Sequence, residues 1–323
     1  MSEGERDHIP VLPAQVVELL HPQAGDVYVD ATAGLGGHAA LVAEKIGPSG
    51  TVVLNDLDAG NLVRASLNLR ESGFAGRVET IHGSFADLPR RLEDLGIAAD
   101  MVLADLGFAS NQVDDPARGL TFREDGPLDM RLDRSRGVTA AELVNEMEER
   151  ELADLIYQFG EERASRRIAG AIVRRRKEQR FESTADLAAV VRKAAGPPPK
   201  GRRRIDQATR TFQALRIAVN GELDALEAFL IAVERAAKLP ASQADSKSCW
   251  LAPGARVGVI GFHSLEDRPV KQAFVALSGE GLAERITRKP AVADEAEQER
   301  NPRSRSAKFR VVKVLREIGG ESR

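Results

Sequence analysis

Asp30 is followed by Ala-Thr-Ala-Gly34-Leu-Gly36-Gly37-His38, and a second acid, Asp56, comes 26 residues after the first. Glycines in such a run let backbone approach a nucleotide-like ligand closely, and an acid at that distance can accept hydrogen bonds from ribose hydroxyls. The spacing is not the G-x-G-x-x-G of a dinucleotide site. An acid followed by G-x-G-G is closer to the loop that holds S-adenosylmethionine (SAM). A purely structural alternative stays open, in which Gly34 and Gly36 only make a tight turn. Phe85, in His82-Gly-Ser-Phe85, offers an apolar face to an adenine ring or else belongs to the core. Asp105 opens Asp105-Leu-Gly107-Phe-Ala-Ser110-Asn-Gln112. Its carboxylate can accept hydrogen bonds from a substrate amine, or it caps the next helix. His263, in Phe262-His263-Ser264-Leu-Glu266-Asp267, is a substrate contact or a structural hydrogen-bonding group. Ser264 with Asp267 fits an N-cap box.

Asp30, Asp56, Asp105 and His263 all fall where an apolar run ends. Strands are predicted over 27–30, 51–55, 78–82 and 100–105, with helices over 38–46, 59–70 and 85–95 between and after them. Strands alternating with helices imply a parallel, doubly wound sheet, whose ligands bind outside the strands' carboxyl ends. No strand-like run appears between 106 and about 208. Thr139 opens an acidic helix (TAAELVNEMEERELADLI). A second helix, over 161–176, carries Arg163, Arg166, Arg167, Arg174, Arg175 and Arg176. A third, over 183–194, is capped by Ser183 or Thr184, and the run Gly196 to Arg204 is a breaker. A long helix over 211–237, a strand over 256–262, a helix over 265–277 and a last strand over 308–315 follow. The expected class is α/β, a Rossmann-like doubly wound sheet with an all-helical domain inserted after strand four. The expected boundaries are 1–117 and 209–323 for the sheet domain and 118–208 for the insertion.

With 323 residues, 42% hydrophobic and 29% charged, the chain can bury a real core, which excludes wholesale disorder. One cysteine, Cys249, excludes an internal disulfide and a Cys-rich zinc site, and the five histidines lack metal-site spacing, so no metal is expected. No stretch reaches 18 apolar residues and MSEGERDHIP lacks an apolar h-region. A cytoplasmic protein with no membrane association is the expectation. The net charge of −3 averages two unlike segments: 139–159 holds six acids and one Arg, whereas 160–204 holds fourteen Lys/Arg and five acids. Arg303, Arg305, Lys308 and Arg310 add a smaller basic cluster. A polyanionic partner bound by a local patch is therefore expected. Aromatics are only 4%, so recognition of such a partner should rest on its phosphates or other anionic groups, not on a stacking platform.

Nine segments carry a resemblance: HIPVL from His8, DATAGLGGH, DLGFASNQVD, RGLTF, DGPLDMR, YQFGEERASRRIA, TRTFQALRIAVN, FHSLEDR and NPRSRSAKFRV. Together they resemble, in order and over essentially the whole chain, the MraW/RsmH family of bacterial ribosomal RNA methyltransferases. RGLTF, DGPLDMR and FHSLEDR are specific to that family, unlike the glycine loop. The resemblance implies that the sheet is a SAM-dependent methyltransferase core, and that the enzyme methylates the exocyclic N4 amine of a cytosine in the decoding region of 16S ribosomal RNA. The small ribosomal subunit is then the partner; a homodimer is compatible, though no motif carries one. The implied SAM contacts are Gly36, Gly37, His38, Asp56, Phe85, Asp105 and Gln112, with Asp105, Ser110 and His263 as catalytic candidates. The family usually shows His-Pro where this chain has Asp206-Gln207, at the edge of the insertion, a change that bears on RNA contact. Two other functions stay open: a SAM methyltransferase for a protein or small molecule, and a non-catalytic RNA-binding or assembly protein.

Overall fold

The computed structural model describes residues 9–197, 206–239 and 249–315, apart from the side chain of Ser110. His8, Arg202, Arg203 and Arg204 lie outside the described residues. The chain divides into two compact units: Met1–Gly107 with Leu223–Arg323, and Phe108–Glu222.

The first unit is a seven-stranded sheet. Its strands are β1 (Val27–Asp30), β2 (Thr51–Asp56), β3 (Arg77–His82), β4 (Ala99–Asp105), β5 (Leu251–Gly261), β6 (Ala283–Arg285) and β7 (Lys308–Val314). Their order is β3-β2-β1-β4-β5-β7-β6. β1 to β5 run parallel, and β7 runs antiparallel to both β5 and β6. The order reverses beside β1, so the crevice for a ligand opens at the carboxyl ends of β1 and β4. Side chains alternate between two buried faces, as a pleated strand with both sides covered requires. Val29, Val53, Val102 and Val257 meet α4 (Leu88–Asp94), α11 (Glu222–Lys238) and α12 (Ser264–Gly279). Tyr28, Val52, Leu54 and Leu103 meet α1 (Pro13–Leu20), α2 (Gly37–Ile46) and α3 (Ala59–Glu71). A further helix, α13 (Glu295–Arg300), precedes a 3-10 turn, Pro302–Ser306, that leads into β7.

The second unit is helical, with α5 (Ser110–Val113), α6 (Ala140–Glu146), α7 (Glu149–Gly160), α8 (Ser165–Arg176), α9 (Thr184–Ala195) and α10 (Thr209–Asn220). Its core gathers Leu152, Ile156, Ile168, Leu187, Phe212 and Leu215. Two expected helices are broken. The acidic one splits into α6 and α7, because Met147 and Glu148 turn to extended backbone. The long one splits into α10 and α11 at Gly221, whose left-handed φ of 59° ends α10. Ser183 caps α9 as expected, its side chain accepting from the Asp186 N–H. The specific motifs interlock within this unit. A Cβ on Gly119 would sit 2.1 Å from the Pro127 carbonyl oxygen, and one on Gly126 would sit 2.0 Å from that of Pro116. RGLTF and DGPLDMR therefore meet backbone to backbone, which only glycine permits. Asp129 takes a two-pronged hydrogen bond from Arg131 (2.7 and 3.0 Å), and Asn220 bridges the Leu132 N–H and the Met130 carbonyl. Arg216 stacks over Phe108 (4.2 Å) and pairs with Glu222 (2.9 and 2.8 Å). Asp206 pairs with Arg192, and Gln207 donates to the Gly196 carbonyl at 2.7 Å, so these two residues tie the start of α10 to the end of α9.

Candidate active site at the carboxyl edge of the parallel strands

Asp30 ends β1 and is buried. Its carboxylate accepts from the Tyr28 hydroxyl (3.2 Å) and the Thr32 N–H (3.3 Å). Burial pushes it up to about 6, against the pull of nearby His38 and of the Thr32 N–H. The same burial, with Asp30 alongside, raises the Tyr28 hydroxyl above its ordinary range.

The glycine loop has internal reasons for its composition. Gly36 takes φ 81°, and a Cβ there would lie 3.1 Å from the Ala65 backbone. It ends a tight turn in which its N–H donates to the Ala33 carbonyl at 2.7 Å. The turn alternative is thus met at Gly36, while Gly37 opens α2 against Pro10. The Gly34 N–H points instead to Asp56, at 2.8 Å.

Asp56 ends β2 and accepts from Gly34 on one oxygen and from the Asp58 N–H (2.8 Å) on the other. Burial raises it to about 6, and those two N–H groups oppose the rise. A carboxylate has about four acceptor sites, so roughly two remain, which matches the two hydroxyls of a ribose. Phe85 stands edge-on to Phe229 at 5.8 Å, inside the core between α4 and α11. The core alternative holds for most of its surface.

Asp105 ends β4. Its N–H donates to Thr32 Oγ1 (2.8 Å), and its Oδ1 accepts from the Gly107 N–H (3.1 Å). That turn leaves no helix for it to cap, since α5 starts at Ser110. Its Oδ2 lies 3.5 Å from Nε2 of His38. His38 is 7% exposed, and neither ring nitrogen makes a hydrogen bond among the described residues. A buried imidazole without a hydrogen bond, beside a carboxylate at a sheet's ligand-binding edge, is a polar group awaiting a partner.

His263 follows β5 and is the N-cap of α12. The capping box is offset by one residue from the expected Ser264 and Asp267. Glu266 reaches back to the Phe262 N–H (2.7 Å) and the His263 N–H (3.3 Å), and lies 3.2 Å from the His263 ring. Asp267 instead holds Arg310 at 2.7 and 3.2 Å. Phe262 packs so closely on Gly107 that a Cβ there would fall 2.8 Å from its ring. The loops after β4 and β5 therefore touch.

One sheet edge thus gathers Gly36, Gly37, His38, Asp56, Phe85, Asp105 and His263. Gln112 belongs to the helical unit, where it is buried and accepts from the Ala109 N–H at 3.1 Å. Ser110 starts α5. The sequence places Asp30 at the end of a buried strand but assigns it no role of its own. Sequence reasoning missed Glu266, whose signal was an acid three residues after the strand-end histidine. The edge fits SAM: an acid with acceptor sites for ribose hydroxyls, an unsatisfied imidazole, and carboxylates for a positively charged ligand.

The MraW methylase family matches residues 5–315. The chain is 46% identical over 318 residues to ribosomal RNA small subunit methyltransferase H of Sorangium cellulosum, covering 98% of this chain and 92% of that one. It is 44% identical to the protein of that name from Pelobacter propionicus (95% and 98% covered) and 45% identical to that from Acidiphilium cryptum (97% and 99%). Among the described residues no helix is long and apolar enough to cross a membrane. With the strand order, the acids at its switch point and a match over nearly the whole length, the chain belongs to the MraW methylase family of SAM-dependent methyltransferases.

Proposed function

We propose that this chain methylates the exocyclic N4 amine of a cytosine in the decoding region of 16S ribosomal RNA, within the small ribosomal subunit. The relatives' shared name supports the RNA class, and the Asp105 carboxylate supports the amine. When bound, SAM would supply a sulfonium-activated methyl group, open to in-line attack by a correctly placed amine with S-adenosylhomocysteine as the leaving group. Cytosine N4 is a poor nucleophile, because its lone pair is delocalised into the ring. Asp105, with Oδ1 tied to the Gly107 N–H, presents Oδ2 as an acceptor that orients the amine and favours its developing positive charge. The amine proton passes to water after attack, when the methylated nitrogen is acidic, so no strong base is required. As the resemblance implies, Ser110 and His263 are the other proposed catalytic residues, and Gly36, Gly37, His38, Asp56, Phe85, Asp105 and Gln112 are the proposed SAM contacts. The base must leave its stack to reach such a site. Cys249 is buried in the core. It is a poor nucleophile for ring-carbon methylation, which supports the amino group as acceptor. A ribosomal substrate implies a cytoplasmic location.

The observation that carries this reading is Asp105 at the end of β4, fixed on one oxygen and facing His38 with the other. Radiolabelled methyl transfer to free 16S RNA, 30S particles and 70S ribosomes, followed by nucleoside analysis, tests it. Label in N4-methylcytidine is expected. Label in 5-methylcytidine, in protein, or nowhere overturns it.

A further inference from the structure

The antiparallel pairing of β7 has a positional result. Lys308, at its start, pairs with Gly261, at the end of β5. The segment entering β7 therefore stands at the same sheet edge as Asp105 and His263. Residues 300–308 contain Arg300, Arg303, Arg305 and Lys308 and no acid, directly after the acidic run Asp294 to Glu299, and Lys308 lies 3.4 Å from Asp267. The three arginines are exposed, and Lys308 is half-buried.

The backbone beneath them is fixed. Asn301 accepts from the Arg303 N–H (3.3 Å) and donates to the Ile9 carbonyl (3.0 Å). Ser304 is buried and donates to the Asn301 carbonyl at 2.8 Å. Buried Glu297 accepts from the Leu12 N–H at 2.6 Å. Ser304 and Ala307 point in while Arg303 and Arg305 point out, so the cations are presented on a rigid turn. Arg310 differs, being buried against Asp267.

The Arg-rich helix α8, the stronger phosphate candidate from sequence, is partly engaged elsewhere. Arg176 holds the Val144 and Met147 carbonyls, Arg175 holds Asp186, and Arg167 holds the Ala195 carbonyl. Their charge is tied to the helical unit's own packing.

We infer that the turn 302–306 is a phosphate-binding element, with Arg303 and Arg305 gripping the RNA strand next to the target nucleotide. This rests on the RNA-methylation reading above and adds where the strand is held. Such contacts position the strand and carry no base specificity.

The test uses the full chain as R303Q/R305Q, with R166Q/R174Q on α8 as comparator. Binding to 30S particles is measured from 50 to 200 mM salt, with methyl transfer run in parallel. Each single-strand phosphate contact contributes roughly 0.7 to the slope of log affinity against log salt. R303Q/R305Q should lower that slope by about 1.4 and weaken binding roughly 25-fold at 0.1 M salt. KM for RNA should rise, with SAM affinity unchanged. An unchanged slope, or the loss appearing only in R166Q/R174Q, overturns the inference. Wild-type chain that binds 30S particles without methylating them overturns the methylation reading instead, and the slopes still decide this one.

Discussion

Replacing Asp30 by Asn should stabilise the protein and do so only above acidic pH. Asp30 is 1% exposed, and burial lifts its carboxyl from 3.8 to about 6. That rise means the ionised form is disfavoured in the folded state by about 3 kcal/mol relative to the unfolded chain. Between the two values the folded state binds more protons, so this contribution to stability grows as pH falls from about 6 toward 3.8. Above about 6 the full penalty is present. Asn has nearly the same shape and carries no charge; its single carbonyl oxygen keeps the bond from the Thr32 N–H, and its amide NH2 donates to the Tyr28 oxygen once that hydroxyl turns. D30N should therefore exceed wild type by up to about 3 kcal/mol at pH 8, and the gap should close near pH 4. Urea unfolding of both proteins across that range measures it through the midpoint at constant slope. Equal stability at pH 8, or a difference that does not change with pH, refutes the reasoning that Asp30 is held as an unfavourable buried charge. Methyl transfer by D30N should fall, because the residue beside His38 and Asp105 loses its charge; a gain in stability with a loss of activity is the pattern of a functional site held under strain.

Three further outcomes follow. Asp105→Ala should retain its fold and SAM affinity yet lose on the order of 100-fold or more in methyl transfer, measured as single-turnover rate; wild-type turnover would remove Asp105 from the mechanism. SAM affinity, followed by calorimetry, should weaken about tenfold for each pH unit below about 6, as Asp56 protonates and loses acceptor capacity; Asp56→Asn should bind weakly with that slope gone. Gly36→Ala places a Cβ 3.1 Å from the Ala65 backbone at φ 81°, so it should lower stability by about 1–3 kcal/mol, read from thermal melts; a wild-type melt would show that α3 gives way freely.

The parallel half of the sheet was legible because β1, β2 and β4 are short apolar runs, each closed by an acid. β6 was not, since Ala283-Glu284-Arg285 is three residues long and mostly polar, and pairing with β7 alone makes it a strand. The direction of β7 is likewise set by its partners, for Lys308–Val314 reads the same either way. Helical periodicity continues through Gly221, and only the left-handed turn there reveals the break. At the site, Asp30, Asp56 and Asp105 look alike as strand-end acids. Their difference lies in their neighbours: Tyr28, two residues back, for one, and the sequence-distant Gly34 and His38 for the other two. Two capping boxes, His263 with Glu266 and Ser264 with Asp267, fit the same letters one residue apart. Arg310, across the sheet, decides between them by holding Asp267. The arginines of α8 announced charge, but nothing in their spacing disclosed the carbonyls they hold.

The stacking of Arg216 on Phe108, with the Arg216–Glu222 pair, bears on how the chain folds in time. β4 must wait for β5, because Ala104 pairs with Val259 and everything between must first be made. Until then β4 has an unpaired edge, a liability for misassembly. Closing a flexible loop of that length carries an entropic cost of roughly 4–5 kcal/mol. Phe108–Glu222 is contiguous and rich in local helical contacts, so it can form while the rest is still being synthesised. Once it has, the Phe108–Arg216–Glu222 clasp holds its two ends together. The connection that β5 must close then shortens to little more than α11 and the segment after it. The helical unit is in this sense a tied knot in the nascent chain, drawing the two halves of the sheet toward each other before they pair.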